Sequence, residues 1–174
     1  MQQQVSKSLK RLNYITGQLL TAESFQTEQT YYLSRQRRHN RWLHGVGVVT
    51  GLQVSLDRTG RQVMIQPGGA IDCAGNELIV ETACTFDLRT AASTLFLALE
   101  HQEQLIEPSP LPGSGAVDQL VYTRIEEYTL ARLYPRDPQP HRITPGQAGT
   151  TCGEAHPLVV AVLQKTRRGW QLQP

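Results

Sequence analysis

Residues 35–44, RQRRHNRWLH, crowd four arginines, two histidines and a tryptophan into a single short segment. Two chemistries suit that set. Guanidinium groups can neutralise phosphates while Trp42 stacks on a base. Alternatively, their planar forks can hold carboxylates of another protein, the use that makes arginine common at protein interfaces. The formal net charge of +2 favours the second chemistry, because phosphate binders usually carry a marked basic excess. Arg37, Arg38, Arg41 and Trp42 are therefore expected to face a protein partner. A nucleic-acid or anionic-surface binding module is the alternative.

Other constellations are weaker. Cys73, Cys84, Cys152 and His156 could make a Cys3His zinc site, and CGEAH supplies an acceptable Cys-x3-His spacing. The tight Cys-x2–4-Cys knuckle of structural zinc is missing, so no metal or other cofactor is expected. GVGVVTG, residues 45–51, follows a helical pattern and lies inside a strand-like run. A dinucleotide fingerprint sits between a strand and a helix instead. Gly45 and Gly47 read as a corner where the backbone needs freedom. No Gly-x-Ser-x-Gly or His-Glu-x-x-His motif is present. Glu126 and Glu127, adjacent on a strand, would point to opposite faces. Asp72, His101 and His141 have no evident partner. The chain reads as non-enzymatic, with an uncharacterised hydrolase a weaker alternative.

The elements that must position these residues follow from periodicity. Thr21 suits an N-cap and Glu23 the positive helix end, predicting a helix over residues 21–42 behind an N-terminal arm, residues 1–20. Ala22, Phe25, Gln29, Tyr32, Leu33, Gln36, Asn40 and Leu43 form one semi-polar stripe. The amides of Gln29 and Asn40 would need partners if the stripe is buried. Gln29, Asn40, His44, Gly45 and Gly47 are therefore assigned to a helix-to-sheet corner, with Asn40 and His44 pinning the helix end. From residue 46 the period shortens. VGVVTGLQVSLD reads as one strand with a bulge at Gly51. RQVMIQPG completes a hairpin, CAGN a turn, and LVVAVLQKTRRGWQLQ a closing hairpin. STLFLALEHQ suits a strand covered on both faces, whereas LVYTRIEEYTLARLY is compatible with strand or helix.

Long loops are expected near residues 107–119 and 135–157, which hold most of the prolines. The expected fold is mainly β with an N-terminal α-helix, an antiparallel sandwich or barrel-like single domain over residues 1–174. No apolar run reaches the roughly 18 residues of a membrane span. The N-terminus lacks the apolar core of a signal peptide, and three cysteines make a poor disulfide framework. Cytoplasmic synthesis is expected.

The segment from residue 11 to 54 also resembles the N-terminal signature of small structural proteins encoded with phage-tail-like contractile injection systems. The matching positions are Arg11, Tyr14, Gly17, Gln18, Leu20, Thr21, Phe25, Glu28, Gln29 and Tyr32. They continue through Arg37, His39, Asn40, Arg41, Leu43, His44, Gly45, Gly47, Val48, Val49, Gly51, Leu52 and Val54. Ser24 departs from the pattern, standing where an acidic residue is usual. IQPGGAIDCAGNELIV, LALEHQEQLIEPSP and YTRIEEYTL are similar to later blocks of the same family. The resemblance implies a non-enzymatic baseplate or accessory-shell subunit, present in several copies and binding other subunits of the particle.

Overall fold

The computed structural model describes residues 9–110, 120–139 and 152–173. Helix α1, Ala22–His39, begins at Thr21, whose hydroxyl accepts from the Ser24 N–H at 3.4 Å. It continues into a π-helical turn, Asn40–His44, closed by the Gly45 N–H donating to the Asn40 carbonyl at 3.0 Å. The helical segment thus ends at His44, two residues past the expected boundary. Gly45 (φ 75°) then turns the chain, a conformation costly for residues with a Cβ.

Among the described residues ten strands follow: β1 Gly47–Gly51, β2 Val54–Leu56, β3 Gln62–Ile65, β4 Gly68–Ile71, β5 Glu77–Val80, β6 Cys84–Asp87, β7 Thr94–Pro110, β8 Leu120–Tyr134, β9 Leu158–Thr166 and β10 Gly169–Leu172. They form three antiparallel sheets, ordered β1-β4-β5, β2-β3-β6 and β10-β9-β7-β8. The fold is mainly β with one N-terminal helix. The three sheets share a core that includes Val63, Ile65, Leu78, Leu97, Leu99 and Leu163. Alternation sets which residues enter it. Val63 and Ile65 are buried between exposed Gln62 and Met64, and Leu78 and Val80 between exposed Glu77 and Ile79, the two-residue period of a half-buried strand.

Two expectations about strands need correction. VGVVTGLQVSLD is not one bulged strand: it divides at Leu52 and Gln53 into β1 and β2, which belong to different sheets. Gly51 (φ 63°) makes the corner, where a Cβ would stand 2.2 Å from the Pro67 carbonyl oxygen. The loop expected from residue 107 is strand as far as Pro110, with Pro108 opposite Tyr122 and Pro110 opposite Leu120. Strand β9 pairs with β7 only as far as Leu99. Among the described residues nothing pairs with the other edge of the outer part of β7, and a proline without an N–H is tolerated on such an edge. Glu107 (φ 55°) and Thr123 opposite it are both passed over in the pairing, and the register resumes unchanged beyond them. The remainder of that loop, 111–119, and residues 140–151 of the second loop lie outside the described residues.

Candidate functional site: the helix-end hub and the cleft beside it

The end of α1 docks on the 72–76 turn between β4 and β5. Asp72, buried, shapes the turn: one carboxylate oxygen accepts from the Asn76 N–H and the other from its Nδ2, both at 2.8 Å. This leaves the carbonyls of Ala74 and Gly75 to receive the helix. Asn40, only 7% exposed, donates from Nδ2 to the Gly75 oxygen at 2.9 Å. Arg41 donates to the Ala74 oxygen at 2.7 Å. Gly75 (φ 90°) permits the approach, because a Cβ there would lie 2.2 Å from the Arg37 carbonyl oxygen. Gly75 escaped the sequence reading, since CAGN marks a turn without showing that a helix presses on it.

Other corner residues are distributed differently. Gly45 and Gly47 are buried at the corner. His44 is exposed, its ring edge-on to His39 with centroids 5.5 Å apart. Gln29 does not reach the corner. It lies eleven residues before Asn40, about 16 Å along an α-helix, and faces the cleft described next.

That cleft, ≈ 970 Å³, separates α1 from the outer halves of β7 and β8. Gln29, Tyr32 and Leu33 line one wall, and Leu105, Tyr122 and Ile125 the other. No residue of α1 is buried. Phe25 is 50%, Tyr32 58% and Ile125 60% exposed, so the semi-polar stripe is largely open over α1, and burial reaches it only at Asn40. A periodic apolar row reads the same whether it meets a core or a partner. At the inner end of the cleft, Arg37 bonds Glu103 at 3.1 Å, and His101 Nε2 lies 3.3 Å from the same carboxylate oxygen. Hydrogen bonding from His101, then from Arg37, holds the Glu103 carboxyl below its ordinary pKa. Gln36 adds a bond to Glu77 at 2.9 Å.

Arg37 and Arg41, expected to face a partner with Arg38, thus both bond their own chain. Arg38 instead lies over the ring of Trp42, 5.3 Å from its centroid, and Trp42 is 60% exposed.

A second cluster adjoins the hub. Cys73, Cys152 and His156 bring their ligand atoms within 4.8 Å of one another. Cys84, the remaining member of the Cys3His set, is not among them and borders a different cleft, between β5, β6 and β8. Burial pushes the Cys73 thiol up to about 11.

The fold and the docked helix define a β-rich scaffold with an open helix–hairpin face. A solved structure with a similar fold comes from a type VI secretion baseplate. A chain of the TssK–TssF–TssG baseplate subcomplex of the type VI secretion system, determined by cryo-electron microscopy, matches 96% of this chain with a TM-score of 0.53 and 13% identity. A structure of TssK (TM-score 0.43, 13% identity, 95% of this chain) and one of the type VI baseplate complex (0.47, 11%, 97%) are more distant. This chain spans 60%, 41% and 58% of the lengths of those three chains. No family profile and no curated protein matches the chain.

Proposed function

We propose that this chain is a non-enzymatic structural subunit of a phage-tail-like contractile injection system, in its baseplate or an accessory shell. It would bind neighbouring subunits through the open face of α1 and the β7–β8 hairpin. The observation that carries this reading is the cleft itself, where Tyr32, Leu33, Leu105, Tyr122 and Ile125 stand unburied on two walls. Large exposed apolar surface rimmed by polar groups marks interaction sites. The shared fold with a baseplate chain and the signature across residues 11–54 support the same assignment. Glu103, held between Arg37 and His101, joins the helix to the hairpin in this reading. A nucleic-acid role is disfavoured, because Arg35, Arg37 and Arg41 already bond Tyr31, Glu103 and Ala74.

The test is assembly. Tyr32→Ser with Ile125→Ser should leave the isolated chain folded, since both side chains are exposed. Its incorporation into sheath–tube particles, read by mass spectrometry of purified particles, should fall about tenfold or more, as loss of a central aromatic anchor does at other interfaces. Undiminished incorporation rejects the cleft as the binding surface. Absence of the wild-type chain from particles rejects the assignment itself.

A further inference from the structure

We propose that Cys73, Cys152 and His156 form a Cys2His site for a zinc ion that clamps the 152–157 segment to the turn receiving the helix end. The three ligand atoms already lie within 4.8 Å of one another. Tetrahedral zinc, with Zn–S near 2.3 Å and Zn–N near 2.05 Å, needs its ligand atoms about 3.6–3.8 Å apart. The set is thus within about an ångström of coordination geometry. Cys152 Sγ and His156 Nε2 are 3.3 Å apart.

Surrounding groups orient the donors as a metal would require. His156 Nδ1 lies 3.3 Å from the Pro157 carbonyl oxygen. A carbonyl can only accept, so this contact suits the tautomer with the proton on Nδ1, which leaves Nε2 as the ring's metal-binding atom on the side of the cysteines. Fixing the tautomer through the other ring nitrogen is the usual support for a metal-bound histidine. The Glu154 N–H donates to Cys152 Sγ at 3.4 Å, an outer contact of the kind that orients a coordinating sulfur. Gly153 (φ 82°) makes the bend that brings the sulfur and the imidazole of CGEAH to one side. The Asp72 carboxylate is committed to Asn76 and does not compete. On binding, the two thiols release their protons to solvent and coordinate as thiolates, and the fourth position is left to water or another donor. Cys73 directly precedes Ala74 and Gly75, whose carbonyls hold Arg41 and Asn40. The ion would therefore stiffen the hub from beneath.

The reduced full chain titrated with cobalt(II) alone tests this, since thiolate–cobalt bonds give a charge-transfer band and tetrahedral sites give intense visible bands. One cobalt per chain, displaced by one zinc, is expected. Cys152→Ser and His156→Ala, altering exposed or half-buried side chains, should weaken binding by more than about 100-fold, beyond the loss of an outer-shell partner. Cys84→Ser should bind as the wild type does. The proposal is overturned by the absence of a charge-transfer band, by a band that survives both variants, or by one lost with Cys84→Ser. Isolation of the chain from cells with Cys73 and Cys152 joined as a disulfide overturns it equally.

Discussion

Asn40 and Gly75 are two halves of one contact. Replacing Asn40 with Ala leaves the buried Gly75 carbonyl without its donor. Stability should fall by about 1–3 kcal/mol in urea unfolding. Gly75→Ala meets both a positive φ and the Arg37 carbonyl. It should cost a further about 1–3 kcal/mol, and less in an Asn40→Ala background, because the two changes damage one interface. The need of Asn40 for a partner was legible in the sequence as an amide on an apolar stripe. Gly75 was not, because a glycine in a turn carries no mark of what lies against it. Asp57 supports a prediction of another kind. Its carboxylate accepts from the Thr59 hydroxyl and from the N–H groups of Gln62, Arg61 and Thr59, which together lower its pKa to about 2. A depressed folded-state value stabilises the fold above the unfolded pKa, near 3.8, and the gain disappears as pH falls through about 2. The difference in urea midpoint between wild type and Asp57→Asn should therefore be largest above pH 4 and shrink toward pH 2.

Helix α1 and the outer β7–β8 hairpin steady each other. An isolated helix of this length is marginal in water, and so is an isolated two-stranded ribbon. Arg37, from the helix, and Glu103, from the hairpin, join them. The pair is partly exposed, so Glu103→Ala should shift global stability by about 1 kcal/mol or less. Its effect should be local: faster amide exchange over residues 22–33 and 120–128, with core amides such as Leu97 unchanged. The ambiguous LVYTRIEEYTLARLY is strand β8 because β7 lies beside it along nearly its whole length. That is a tertiary fact, which local propensity does not contain. Continuity misled at VGVVTGLQVSLD for the converse reason. The apolar run is unbroken in sequence, yet Gly51 and Leu52 turn it from one sheet into another.

At the scale of the molecule, the division of labour among the arginines decides which variants disturb folding and which disturb assembly. Arg41→Glu removes the donor to Ala74 and places a carboxylate near a carbonyl oxygen. It should lower the melting temperature of the isolated chain. Arg38→Glu with Trp42→Ala removes only a surface stack, so the melting temperature should hold while particle incorporation falls. Equal loss of melting temperature in both variants would place Arg38 and Trp42 with the folding residues. The mainly β class, the N-terminal helix and most strand positions were legible because alternation and turn residues are local signals. The strand order within the sheets was not, since it depends on pairings between distant residues such as Thr94 with Gln164.

That pairing bears on the order in which the chain folds. Strand β7 meets β8 across a single connection, Pro110 opposite Leu120, but meets β9 only after the intervening chain has closed. Closing the larger loop costs more entropy before any contact compensates it. The β7–β8 ribbon should therefore form early, and capture of β9 should limit the rate. In a denaturant chevron, Leu163→Ala should slow refolding, whereas Ile125→Ala, out on the hairpin, should leave both arms nearly unmoved.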